Sequence, residues 1–144
     1  LERVPCVFAP SFSVGVTALI KLVEEAAKIM GDQYDVEIVE AHHHFKTDAP
    51  SGTAITLAEG VIKNHSQYSN WKLDESAENT LPISAKRIPD VPGTHIITYK
   101  SDIDTIKIEH EAHSRQGFAL GAVIAAEWII GKTGVFTMKD VLSL

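Results

Sequence analysis

The chain has a single cysteine, Cys6, among its 144 residues. No internal disulfide can form and one thiol builds no metal cluster, so a reducing, cytoplasmic setting is expected. Cys6 lies in the apolar run from Val4 to Ala9. That run reads as one buried strand, which makes the thiol a core group and not a nucleophile. No apolar run reaches the length of a membrane span, and no signal peptide, internal repeat or low-complexity tract is visible. Positive charge is also scarce: the net charge is −6 and no basic face stands out, so nucleic acid is not an expected partner. An initiator methionine is missing too. The chain opens on Leu1-Glu2-Arg3-Val4-Pro5 and enters a strand at once. This is the expected look of a cut through a larger protein, with Leu1-Glu2 readable as an expression remnant.

What is present supports a folded domain. The hydrophobic fraction of 44% is enough for a core. After a turn at Pro10-Ser11-Phe12-Ser13, Val16, Leu19, Ile20, Val23, Ala27 and Met30 recur at helical spacing, which predicts a helix over 14–30 stopped by Gly31. Residues 35–42 read as a strand and 53–63 as part of a helix that starts after Ser51. The polar, aperiodic stretch 64–82 reads as a surface loop, pinned to the core by Trp71. Strands are predicted over 83–88, 94–100 and 104–112, the last two as an antiparallel hairpin. Residues 117–130 are apolar almost all round, so this helix should be buried on most sides, and 137–144 reads as a short terminal helix. The expected fold class is α+β, a mixed sheet of about four strands flanked by helices.

The densest chemistry lies between the strand at 35–42 and the helix after Ser51. Here stand His42, His43, His44, Lys46, Asp48 and the turn Pro50-Ser51-Gly52-Thr53. Ser51 is placed to cap the helix. The first helical N–H groups then point outward, and the helix dipole adds positive potential. Gly52 lets a ligand come close to the backbone. The arrangement is a phosphate or carboxylate site with a proton donor beside it.

The residues of this stretch, Glu37, Ile38, Glu40, His42, His43, Lys46, Asp48 and Pro50-Ser51-Gly52-Thr53-Ala54, resemble the signature of the dihydrodipicolinate reductases of lysine and diaminopimelate biosynthesis. The flanks agree: Phe12 to Val16, then Arg87 with Pro92-Gly93-Thr94-His95, then His113-Ser114-Arg115 with Phe118 and Gly121-Ala122-Val123. The chain departs from the family at Ser11, where asparagine is usual. The resemblance implies a two-domain Rossmann-type reductase whose nucleotide domain is missing from this chain, since no Gly-rich phosphate fingerprint is present. Residues 1–12 would be a remnant strand and hinge of that domain, 13–114 the substrate-binding and tetramerisation domain, and 115–144 helices that return to the nucleotide domain. It implies that His42 is the acid/base group and Lys46 a proton donor. His43, Ser51, Gly52 and Thr53 would hold a cyclic dicarboxylate substrate. Ala9, Pro10, Ser11, Phe12, Arg115 and Phe118 would lie near the nicotinamide of NADH or NADPH. The implied assembly is a homotetramer with no metal.

Plainer readings stand beside these. On a strand His42 and His44 would share a face, but with no cysteine and no placed third ligand they do not make a zinc site. His44 is expected at the surface, His110 and His113 as structural groups, and Asp48 as a cap of the Pro-Ser-Gly turn. Arg87 and His95 could face the pocket or not. Two other functions stay open: a different nicotinamide-dependent dehydrogenase with a mixed-sheet C-terminal domain, and a non-enzymatic dicarboxylate-binding or assembly module.

Overall fold

The computed structural model describes residues 4–144, so Leu1 and Glu2, with their reading as a remnant, lie outside the described residues. In chain order the elements are β1 (Cys6–Phe8), α1 (Val14–Met30), β2 (Asp35–His42), α2 (Gly52–Asn64), β3 (Asn70–Leu73), β4 (Thr80–Arg87), β5 (Gly93–Lys100), β6 (Thr105–Ala112), α3 (Gln116–Trp128), β7 (Val135–Thr137) and α4 (Met138–Val141). Five strands form one mixed sheet in the order β3-β4-β2-β5-β6. β4 runs parallel to both β3 and β2, whereas β2-β5 and β5-β6 are antiparallel.

Both long helices form where their apolar spacing and caps direct. The Ser13 side chain accepts the Val16 N–H at the start of α1, and Gly31, at φ +66°, ends it. α1 and α2 contribute Val16, Leu19, Val23, Leu57, Ala58 and Val61 to the core. Against them lie Val36 and Ile38 of β2, Leu81 and Ile83 of β4, and Ile97 and Tyr99 of β5. A large aliphatic side chain buried to this extent contributes about 1.5–3 kcal/mol. The Tyr99 hydroxyl donates to the Val23 carbonyl at 3.1 Å, which ties the sheet to α1.

A second, smaller unit pairs β1 with β7 in parallel and packs Ala125, Met138 and Val141 with Val7, Phe12 and Trp128. Here the chain departs from several expectations. β1 is three residues long with an exposed–intermediate–exposed pattern, and Cys6 is exposed, not buried. A two-stranded sheet with one short layer beside it leaves the outer faces of both strands uncovered. The terminal segment is a strand followed by a single helical turn, because 135–137 finds a partner in β1 that lies far away in sequence. In α3 only Gly121 and Ala125 are buried, while Leu120 and Val123 are more than half exposed. The stretch 64–82 is not all loop: Asn70–Leu73 adds to β4 as an edge strand, which brings the sheet to five strands. Trp71 of that strand does pack against the core.

The two units meet where α3 crosses the entry to α1. A Cβ on Gly121 would lie 1.7 Å from the carbonyl oxygen of Phe12. Only glycine allows that backbone approach. Gly121→Ala is therefore expected to destabilise the protein by about 1–3 kcal/mol, as overpacking does. Thermal unfolding checks this, and an unchanged Tm would show that the two backbones part at no cost.

Candidate active site

The inner face of the sheet changes character along the strands. One cross-strand row reads Ile83, Ile38, Ile97 and Ile108. The next, two residues on, reads Ala85, Glu40, His95 and His110. The row after that pairs Arg87 with His42. Because strand side chains alternate, Glu40 occupies a core-facing position continuous with Val36 and Ile38, and its residue exposure is 0%. It is the central site residue that the sequence reading quoted but gave no role. The signal was available in the alternation of 35–42, which puts position 40 inside.

Every oxygen of Glu40 is used. Arg87 donates Nη1–H to Oε2 at 3.0 Å and Nη2–H to Oε1 at 3.2 Å. Oε1 also accepts the Ser51 N–H at 3.1 Å, and Oε2 lies 2.5 Å from Nδ1 of His42. Arg87 in turn donates to the carbonyls of Asp48 at 2.7 Å and Lys46 at 3.4 Å. One buried carboxylate and one guanidinium thus hold β2, β4, the 43–50 loop and the start of α2 together. Burial alone would raise the Glu40 carboxyl, but the hydrogen bonds and charges of His42 and Arg87 outweigh it and hold it down to about 2.

The start of α2 is capped as expected, with the Ser51 Oγ accepting the Ala54 N–H at 3.1 Å. The same oxygen meets Nε2 of His95 at 2.9 Å. Burial, followed by the nearby His42, pushes His95 down to about 4, so its ring is neutral near pH 7. The N–H groups of Gly52 and Thr53 are first-turn donors with no acceptor within the helix. A Cβ on Gly52 would meet nothing within 4 Å, so there is open space beside the helix start. Lys46, half-buried, pairs with Asp48 at 2.9 Å. Asp48 is thus a counter-ion to Lys46, where a turn cap was expected, and the Lys46 hydrogen bond holds its carboxyl below the usual range. His43 receives Nη2–H of Arg115 at 3.1 Å. Partial burial and then the Arg115 cation push His43 down, which suits a neutral ring accepting at Nε2. The strand ends at His42, so the expected shared face of His42 and His44 does not form; His44 is exposed.

These groups line one open cleft of about 450 Å³, formed by Pro10, Ser11, Phe12, His42, His43, Lys46, Ser51, Gly52, Thr53, Pro92, Arg115 and Phe118. It gathers every residue to which the family resemblance gives a catalytic, substrate or cofactor role except Ala9, which lines a neighbouring apolar groove with Phe8 and Met138. Pro92, read as a turn residue, closes one side. Arg87 and His95 lie behind the wall, bonded to Glu40 and Ser51. A larger cleft of about 510 Å³ involves Asp35, Glu37 and Glu78 with Lys100 as its one cation, which suits an anion poorly. Among the described residues no group of three His, Cys, Asp or Glu side chains could hold a metal ion.

The electrostatics predict acid lability. A depressed histidine contributes stability that is present above its unfolded value of 6.5 and is lost as pH falls through 4. The depressed Glu40 carboxyl does the same from 4.5 down to about 2. Each group is expected to add up to about 1.4 kcal/mol per pH unit to the slope within its window. Thermal melts against pH check this: His95→Gln flattens the upper limb and Glu40→Gln the lower. An unchanged slope in either variant would remove that group from the account.

Comparison with known proteins agrees over almost the whole chain. Residues 15–142 match the family described as "Dihydrodipicolinate reductase, C-terminus". The chain is 53% identical over 139 residues to the 4-hydroxy-tetrahydrodipicolinate reductase of Christiangramia forsetii, covering 95% of this chain and 58% of that protein. It is 44% identical to the corresponding protein of Desulfotalea psychrophila, with 97% and 55% covered. The chain thus spans a little over half the length of these curated relatives. A solved structure, "Dipicolinate bound Dihydrodipicolinate reductase from Paenisporosarcina sp. TG-14", shares the fold with a TM-score of 0.74 at 24% identity, covering 94% of this chain and 53% of the other. By its sequence the chain belongs to the dihydrodipicolinate reductase family, of which it carries the C-terminal domain.

Proposed function

We propose that this chain is the substrate-binding and proton-donating part of a 4-hydroxy-tetrahydrodipicolinate reductase, which acts together with a nucleotide-binding half. One observation carries the reading. Gly52 and Thr53 at the helix start, the cationic residues Lys46 and Arg115, and His42 and His43 all line one cleft. A planar dicarboxylate fits that set. One carboxylate sits on the helix start, where donors and dipole act together. Arg115 and His43 lie across the cleft for the rest of the molecule. A solved relative bound to dipicolinate, a cyclic dicarboxylate, supports the choice of ligand class.

Reduction to tetrahydrodipicolinate takes one hydride and one proton and releases water. His42 and Lys46 are the groups that hold a proton at the cleft. Pro10, Ser11 and Phe12 form a wall with an apolar ring and small polar groups, which suits the nicotinamide end of NADH or NADPH. That cofactor supplies the hydride when bound. This chain's own residues bind and orient the dicarboxylate and deliver the proton. Cys6 lies on β1 and outside the cleft, which disfavours a dehydrogenase that needs a catalytic cysteine.

Residues up to about 12 and from about 115 belong, on this reading, with the nucleotide-binding half. The pairing of β1 with β7 and the exposed apolar side chains of α3 support that division. A homotetramer and a cytoplasmic location complete the proposal. The uncovered edges of β3 and β6 favour assembly. No helix among the described residues is long and apolar enough to cross a membrane.

The test is titration with 2,6-pyridinedicarboxylate, followed by amide NMR shifts. Gly52 and Thr53 are expected to move most, and the chain alone to show no reductase turnover. In the two-domain enzyme, His42→Ala or Lys46→Ala should lower kcat by about 10²–10⁴ with assembly intact. Normal turnover in both variants, or a ligand that leaves Gly52 and Thr53 unmoved, would defeat the proposal.

A further inference from the structure

We propose that Glu40 is a positioning residue that holds His42 as its Nδ1–H tautomer, so that proton exchange with the substrate takes place at Nε2 alone. The inference rests on the reading of His42 as the acid/base group and deepens it.

Strand geometry sets the contact. Glu40 and His42 are two residues apart on the same face of β2, and Oε2 lies 2.5 Å from Nδ1. The carboxylate cannot swing away. Arg87 grips both its oxygens, the Ser51 N–H takes another lone pair, and the residue has 0% exposure. An ionised carboxylate only accepts hydrogen bonds. The proton in the His42–Glu40 contact therefore belongs to Nδ1. Nε2 has no hydrogen-bond partner among the described residues, and His42 lines the cleft. Space is kept beside it by Gly93, whose missing Cβ would stand 3.2 Å from Nε2.

The other charged and titratable groups around His42 leave this assignment alone. His95 on β5 meets it edge-on with ring centroids 5.2 Å apart, and its Nε2 is engaged by Ser51. Lys46 is paired with Asp48, His43 with Arg115, and Arg87 reaches His42 only through Glu40. Glu40 is thus the carboxylate in direct contact with His42 among the described residues. After the Nε2 proton leaves, the ring is already the tautomer whose Nε2 lone pair can take up the next one.

The test uses the two-domain enzyme and long-range ¹H–¹⁵N spectra of the His42 ring. In the neutral ring of the unaltered protein, Nδ1 is expected to carry the proton and Nε2 to be bare. Glu40→Gln should mix or invert the tautomers, because the amide can present N–H to Nδ1. That variant should lose between about 10-fold and 10⁴-fold in kcat. Its 2,6-pyridinedicarboxylate affinity should stay within about threefold, since a loss seen in kcat alone marks an interaction of the transition state. Glu40→Asp, which keeps the charge, should recover part of kcat. A bare Nδ1 in the unaltered protein overturns the proposal without any variant. So does a Glu40→Gln protein whose His42 tautomer is unchanged, whether or not its activity falls, because Glu40 would then be structural only. Full turnover in a parallel His42→Ala enzyme would instead defeat the catalytic reading of His42, a result distinct from either tautomer outcome.

Discussion

A carboxylate with no access to water is the constraint around which this domain is arranged. Leaving Glu40 uncompensated inside the sheet would cost several kcal/mol, so the fold supplies a partner for each lone pair. The partners come from different places: His42 from the same strand, Arg87 from the neighbouring strand, and the Ser51 N–H from the start of α2. Meeting the needs of one charge therefore brings His42, the start of α2 and the loop that carries Lys46 to fixed relative positions. Arg87 extends the effect through its bonds to the carbonyls of Lys46 and Asp48. A bidentate guanidinium suits this task because its planar fork has little freedom once engaged.

The site sits at a boundary within the sheet. Toward one end, isoleucines from β4, β2, β5 and β6 meet in a row and exclude water. One pleat further, the same positions hold Glu40, His95 and His110. Rigid apolar packing and reactive polar groups are thus adjacent rows of one face. The first gives the second its fixed geometry; burial pushes His95 down, whereas Glu40 is held down by His42 and Arg87 against the effect of its burial. His110 completes the row under the first turn of α1, where Gly15 has no room for a Cβ beside the imidazole.

The cleft has a second wall of different origin. Pro10, Ser11 and Phe12 precede α1, and Arg115 and Phe118 lie at the start of α3. Both segments lead from the large sheet to the small β1-β7 unit, and Gly121 lets α3 close directly on the Phe12 backbone. The space between the two walls is bordered by residues that follow β2 and open α2 on one side and by the segments that lead to the β1-β7 unit on the other.

Much of the fold could be read without coordinates. Both long helices have caps and apolar stripes strong enough to set their ends locally, and β-prone runs, with clean alternation over 104–112, marked four of the five main strands. One side of the cleft was legible as well, because Pro50-Ser51-Gly52-Thr53 is local turn and cap chemistry and the histidines and lysine precede it in the same stretch, whereas Pro10 to Phe12, Arg115 and Phe118 were reached only through the family resemblance. What the sequence alone did not decide is what depends on pairing across distance. Asn70–Leu73 is a strand because β4 offers it an edge, and Val135–Thr137 because β1 does. Cys6 is exposed because its two-stranded sheet has too little around it to bury both faces. Asp48 turned to Lys46, a nearby cation, in place of the turn backbone. Glu40 is the clearest case: its place on the strand face is local, but its meaning came from Arg87, 47 residues away, and from Ser51. The sequence by itself determined the helices, the turn and the chemistry at hand. The tertiary structure decided which charge is buried and what it holds in place, since compensation of a buried charge is settled by whatever the fold brings within reach.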